Sequence, residues 1–324
     1  MSNLEKDPAE LLGEGNLAVV DIYIHDPRDV PHGGPRAMTV RRTLPQRRRS
    51  LIGAWCFLDH YGPDPVAERG GMVVPPHPHS GLQTVTWLFA GDVDHRDSVG
   101  THAVVRPGEL NLMTAGRGIA HSEVSTPQTT VLHGAQLWVA LPDADRDHQP
   151  FFEHYVPVPV RFGDATVRVF LGSLGGESST ATTFSELIGC QIDLPSGTAV
   201  TIPTDARFEH GVLVDRGSLL VDGEPVSVSH LAYLRTGRDS VRLEAGDEPV
   251  RLLLIGGVPL DEQIVMWWNF IGRSHEEIVT FRQEWQSDVV AGGNDGGRFG
   301  SVHGYPGSAL PAPDLPNVRL RPRG

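Results

Sequence analysis

Short apolar runs cut by glycine and proline dominate the chain from Leu17 to Gly257, and that punctuation leaves little room for long helices. LAVVDIYI, TVTWLFAGD, HGAQLWVALP, HGVLVDRGSLLVDG and PVRLLLIGG each join β-branched or aromatic residues to a bounding turn. In the second half the breaks recur at intervals of roughly ten residues, the rhythm of a sandwich or barrel. With 37 glycines and 26 prolines among 324 residues, an all-β fold is expected, and the length makes two domains the expectation. The polar, turn-rich PDADRDHQP at 142–150 marks the connection. It divides a first domain, 17–150, from a second of the same architecture, 151–272.

The ends read differently. Residues 1–16 are charged, lack the apolar core of a secretory signal and form a solvated leader. Beyond residue 272, Ile278, Phe281, Trp285 and Val289 fall on one helical face behind a Ser274/Glu277 capping box. Residues 273–324 are therefore a helix followed by an extended tail that gains order by lying on the folded body. Trp267, Trp268, Asn269 and Phe270 are expected to pack in a core rather than to form a ligand platform.

A net charge of -13 disfavours phosphate-backbone binding, so no direct nucleic-acid partner is expected. The one basic stretch, Arg41, Arg42, Arg47, Arg48 and Arg49, is read as a basic turn paired with nearby acids. No apolar run reaches bilayer length, which argues against a membrane partner. Cys56 and Cys190 stand far apart in no metal-like or redox-like spacing. Both features suit a cytoplasmic protein with buried thiols.

Chemistry is concentrated between Gly71 and Glu123. GMVVPPHPHSGLQT carries His77 and His79, and MTAGRGIAHSE carries His121 and Glu123. On a strand, residues i and i+2 face the same side roughly 6 to 7 Å apart, so each pair can reach one ion. Pro78 lacks a backbone donor, which places its segment at a strand edge where the ion stays reachable. Three imidazoles and one carboxylate suit iron, manganese, nickel, copper or zinc better than calcium. They leave a divalent ion with one net positive charge that attracts an anionic oxygen. The bland reading, a capped turn and a local hydrogen-bonded pair, explains one such spacing better than two. His60, His95, His102, His133 and His154 are read as structural or surface residues. The second half offers His210 alone, with Val212 where another histidine is needed, so no metal site is expected there. Alternation leaves open which face Gln136 and Trp138 occupy.

Gly71, His77, His79 and Gly91, then Gly116, Gly118, His121 and Glu123, resemble the motifs of the cupin superfamily, and specifically the pirin family of bicupins. The likeness extends through RRTLPQRRRSLIGAWCFLDHYGP, HGAQLWVALP and IVMWWNFIGRSHEEI, covering most of residues 40–285. It implies two cupin-type antiparallel β-barrel (jelly-roll) domains facing each other. It also implies one metal, iron(II) first, in the N-terminal barrel, with His77, His79, His121 and Glu123 as its ligands. Two activities come with it: opening of a quercetin-like flavonol by dioxygen, and redox-dependent regulation through a protein partner. In the first, Glu123 is the expected proton acceptor for an enolisable aromatic substrate. In the second, the Arg41–Arg49 stretch is the expected contact. A sugar isomerase or another cupin metalloenzyme is a third reading. Gln83 stands where many relatives carry Glu; an amide is neither ligand nor base, so Gln83 is expected to act only on the surroundings of the ligands.

Overall fold

The computed structural model describes residues 22–32 and 38–324. The leader at 1–16, the first part of LAVVDIYI and most of the turn from Pro31 to Pro35 lie outside the described residues.

Each half is built from one large and one small antiparallel sheet that share a core. In the first, the seven-stranded sheet runs Phe151–Tyr155, Leu110–Thr114, Leu82–Ala90, Leu132–Ala140, Trp55–Asp64, Met38–Leu44 and Arg28–His32. Its four-stranded partner runs Val73–His79, Ile119–Ser125, Val93–Asp97 and His102–Val105. Val74, Val93 and Val105 of the small sheet pack with Val40, Tyr61, Leu88 and Leu132 of the large one. In the second half the large sheet centres on Glu209–Arg216, Val250–Gly257 and Leu187–Leu194, and the small one on Ala199–Pro203 and Ser240–Ala245. The expected pair of cupin domains is what the chain forms.

The run VRLLLIGG has a physical cause. Leu252 and Leu254 enter the interior of the second half, whereas Leu253 and Ile255 face the first half. There they meet Leu58, Val85, Trp87, Leu112, Leu137 and Val139, so the two large sheets pack back to back. A strand buried on both faces reads as a continuous apolar run.

Three segments cross the seam. Ile22–His25 pairs with Leu231–Leu234 in the second half's large sheet. The connection expected to end at residue 150 is followed by one more strand of the first sheet, because Phe151 to Tyr155 register against Thr114 to Leu110. The hairpin Val265–Trp267 and Phe270–Gly272, expected in the second domain, instead lies on the first, with Ile271 N donating to Ser80 O at 3.0 Å. These pairings are nonlocal and leave no mark in turn chemistry.

Polar groups also join the halves. Glu209 accepts from Arg49 at 2.9 Å, from Gly53 N at 2.9 Å and from Tyr233 at 2.6 Å. Arg42 is buried and grips Asp59 with two 2.7 Å bonds. The basic stretch thus feeds internal ion pairs at Arg42 and Arg49. Both cysteines are buried and free, and burial pushes the Cys190 thiol up to about 12.

Helix His275–Glu284 begins as expected, with Ser274 Oγ accepting from Glu277 N at 3.2 Å. The reciprocal arm differs: Glu277 accepts from Arg273 N at 2.7 Å and from Arg146 at 2.7 and 3.1 Å. Ile278, Phe281 and Trp285 are buried, and Val289 packs beside them. The tail then crosses the first half: Ser98 donates to Phe299 O at 2.6 Å and Leu310 N to Pro76 O at 2.8 Å. Trp267, Trp268 and Phe270 are core residues with Phe281 and Trp285, as expected. No helix among the described residues is long and apolar enough to cross a membrane.

Candidate metal centre

His77 and His79 stand on the edge strand Val73–His79, and His121 and Glu123 on its neighbour Ile119–Ser125. In register, His121 faces His77 and Ile119 faces His79, but Glu123 faces Val74. The His77 strand therefore holds one extra residue, and the tandem Pro75-Pro76 sits in that bulge, where missing backbone donors cost no ladder bond. On the other side of Ile119–Ser125, Asp97 faces His121 and His95 faces Glu123.

The four side chains are buried. Ring centroids of His77, His79 and His121 lie 4.3 to 5.2 Å apart, and one ligand atom from each falls within 4.8 Å of the others. His95, His121 and Glu123 form a second group of the same tightness. His121 belongs to both, which brings Glu123 to the side of the histidine group that His95 flanks.

Hydrogen bonds select the tautomers. His77 Nδ1 lies 2.8 Å from Pro75 O, a pure acceptor, so Nδ1 carries the proton and Nε2 the lone pair. Asp97 accepts from Val99 N at 3.1 Å and Thr101 N at 2.8 Å, and its other oxygen lies 3.3 Å from His95 Nε2. His95 thus donates through Nε2 and accepts through Nδ1, which is 3.4 Å from His121 Nδ1. His121 is left with its lone pair on Nε2. The backbone of Asn269, from the hairpin that crosses the seam, contacts the His79 ring.

Nε2 of His79 and of His121 has no hydrogen-bond partner among the described residues. Burial, followed by the neighbouring His77, drives both rings well below the usual histidine range, so both are neutral at pH 7. Neutral imidazoles that leave buried lone pairs unmatched fit a divalent transition ion. Burial, then Glu123, pushes Tyr61 well above its usual range, which keeps a neutral phenol near the carboxylate.

The wall is aromatic and polar. Trp138 meets His79 edge-on at 5.1 Å and stacks on Phe57 at 4.0 Å. The Arg42 guanidinium covers the other side of Phe57 at 4.3 Å. Thr86 Oγ1 lies 3.0 Å from Gln136 Oε1 and 3.5 Å from Glu123 Oε1. Gln136 and Trp138 therefore share the inward face that alternation left open. Gln83 is engaged elsewhere: its amide donates to Thr114 Oγ1 at 2.9 Å and to Thr182 O at 3.0 Å, tying the two halves together.

Sequence reasoning set His95 aside and did not single out Asp97 or Thr86. The HRD spacing of His95 and Asp97 carried a signal, since it repeats the i, i+2 pattern of the other pairs. Gly81 was also missed. It has φ +70°, and a Cβ there would lie 2.3 Å from Ile271 O. Gly81→Ala is expected to lower stability by about 1–2 kcal/mol from the backbone alone, and more as the hairpin shifts, read by thermal unfolding.

A third group, His60, His133 and Asp215, also brings three ligand atoms within 4.8 Å. Arg251 Nε stands 2.6 Å from Asp215, and Arg251 Nη2 stands 3.5 Å from His133 Nδ1. A fixed cation already neutralises that carboxylate, which disfavours a second one.

Residues 37–139 match the pirin family model, and residues 189–290 match that of the pirin C-terminal cupin domain. A Pseudomonas aeruginosa protein provisionally named a quercetin 2,3-dioxygenase is 43% identical over 281 residues, 86% of each chain. A pirin-like protein of Caulobacter vibrioides is 33% identical over 76% of this chain and 88% of its own length. The crystal structure of a quercetin 2,3-dioxygenase from Acinetobacter baumannii aligns with a TM-score of 0.85 at 36% identity, covering 93% of this chain and 97% of that one. Both halves are matched in order, and relatives align along most of the length: the chain belongs to the pirin family.

Proposed function

We propose that the protein is a metal-dependent dioxygenase of the quercetin 2,3-dioxygenase type, with His77, His79, His121 and Glu123 holding one divalent transition ion, iron(II) first. The observation that carries the reading is the convergence of three buried imidazoles, with Nδ1 of His77 and His121 held by protein groups and Nε2 of His79 and His121 left without a hydrogen-bond partner among the described residues. When bound, the ion supplies Lewis acidity and redox chemistry.

The chain's own residues supply the rest. Glu123 accepts the proton of the substrate's acidic hydroxyl, because it is the carboxylate placed beside the three histidines. Thr86 and Tyr61 add polar, uncharged neighbours to it. Phe57 and Trp138 form an apolar wall that excludes water and suits a planar aromatic substrate. The two buried thiols accord with action in a reducing cytoplasm.

Oxygen uptake with quercetin by metal-loaded protein tests this. We expect metal-dependent turnover that falls to the spontaneous background in His77→Ala; equal rates in the two proteins defeat the reading. The Asp97–His95–His121 chain adds a second expectation. Asp97→Asn lets His95 take either tautomer and releases the hold on His121, so metal affinity should drop by about 10- to 100-fold. Competition with a calibrated chelator measures it, and an unchanged affinity removes His95 and Asp97 from the scheme.

A further inference from the structure

The second half contains its own cavity, remote in sequence from the four candidate ligands and independent of the function proposed for them. It holds about 360 Å³ and is lined by Leu187, Ile188, Phe208, His210 and Leu254 together with Ser173, Thr183 and Thr204, with Arg207 at its rim. His210 lies on Glu209–Arg216, where it alternates with Val212 and Val214 of the interior core, so it occupies the inner face. Its neighbours Ile188 and Leu254 belong to that same core.

His210 is only 1% exposed, yet its Nδ1 has no hydrogen-bond partner among the described residues. Burial lowers its pKa to about 4, so the ring is neutral at pH 7. The Phe208 ring stands beside it, 6.1 Å between centroids. At the rim, Arg207 is clamped by Glu186 at 2.7 Å and by Asp205 at 2.7 Å. One guanidinium between two carboxylates leaves the entrance with one net negative charge.

Each property narrows the occupant. A neutral histidine behind a negative rim disfavours carboxylates and phosphates. The apolar part of the lining, Leu187, Ile188, Phe208 and Leu254, favours a flat apolar ring over a sugar, whose faces all carry hydroxyls. The volume is at the small end of ligand pockets and suits a single ring. One buried acceptor flanked by an aromatic face matches a ring bearing an acidic O–H.

We propose that this cavity binds an uncharged single-ring phenol, whose hydroxyl donates to His210 Nδ1 while its ring lies beside Phe208. The imidazole then carries its proton on Nε2. Strained backbone plays no part.

Calorimetric titration of the metal-loaded full chain with 4-methylphenol tests the proposal, with toluene and 4-methylbenzoate as controls. We expect saturable binding of the phenol, about tenfold or more tighter than either control, and a loss of about tenfold in His210→Leu. In His79→Ala the affinity should stay within about twofold, because that residue belongs to the other half. If His210→Leu does not fold, the imidazole ¹⁵N resonances of His210 in the unaltered protein serve instead and must shift on titration. Absence of saturable heat up to about 10 mM phenol overturns the proposal. So do equal binding of toluene or 4-methylbenzoate, retention of affinity in His210→Leu, its loss in His79→Ala, or unmoved His210 resonances.

Discussion

His121→Ala is expected to abolish metal retention, and with it all flavonol-dependent oxygen uptake. His121 is the one side chain common to both close-set groups, facing His77 across one ladder and linked through Nδ1 to His95 across the other. In the proposed coordination its removal costs a ligand and disconnects the carboxylate side of the centre from the histidine side. Loss of an outer partner of a metal-ligating histidine typically weakens affinity about 10- to 100-fold, so loss of the ligand should exceed about 100-fold. Elemental analysis of the purified variant, paired with an uptake assay on the same sample, reads both effects. The fold should survive, because the two large sheets and their shared core do not depend on this ring. A variant carrying as much metal as the unaltered protein would remove His121 from the coordination set.

The second large effect lies at the seam. Asp215 is buried and receives His60 at 2.8 Å, His133 at 2.6 Å and Arg251 at 2.6 Å. His60 in turn contacts Ser229 at 3.0 Å. Asp215→Ala strands a partly buried guanidinium and two buried imidazoles, and breaking one partner of a buried pair typically costs about 3–5 kcal/mol. Denaturant unfolding should show that loss; a change below about 1 kcal/mol would mean that the cluster is solvated and weak.

Acid should act on the same seam. Burial lowers the pKa of His60, and it lowers His25 and His210 to about 4, against an ordinary value of 6.5. The unfolded chain therefore binds more protons than the folded one below pH 6.5, so each group's contribution is complete above that pH and is lost as pH falls. The slope is about 1.4 kcal/mol per pH unit for each group fully charged only when unfolded. For Asp215, burial raises the pKa, but hydrogen bonds from His133 and His60 and the charge of Arg251 outweigh it and hold the carboxyl well below its usual range. Its contribution is present above about pH 4 and also disappears on acidification. Unfolding midpoints measured from pH 7 to pH 4.5 should fall steadily; a flat profile contradicts the burial of these histidines.

That His77 with His79, and His121 with Glu123, would each share a face was legible because period-two spacing is a local property of a strand. His77 and His79 needed no knowledge of their neighbours to share a face, and neither did Ile278, Phe281 and Trp285 on their helix. The bulge at Pro75-Pro76 was not legible, because a register shift belongs to two strands at once. The same holds for His95 and Asp97, which reach the centre only through the pairing of Val93–Asp97 with Ile119–Ser125. Trp267, Trp268 and Phe270 were legible as core from composition alone. That the Asn269 backbone among them would touch His79 followed from a hairpin crossing between halves, which no turn signal announces. Gln83 shows the opposite limit: the departure from the family pattern is visible in the sequence, but its partners Thr114 and Thr182 come from distant segments.

The strand bearing His77 and His79 borders its sheet, and such a border ordinarily offers a row of unmatched amides and carbonyls to a strand of another molecule. Here Pro76 and Pro78 remove two amides from that row, Leu310 takes the carbonyl of Pro76, and Ile271 takes that of Ser80. What serves within one chain to seat two imidazoles also denies neighbouring chains a template for fibril-like growth. A chain cut short of Leu310 would reopen part of that row, and its first symptom should be self-association at high concentration rather than unfolding.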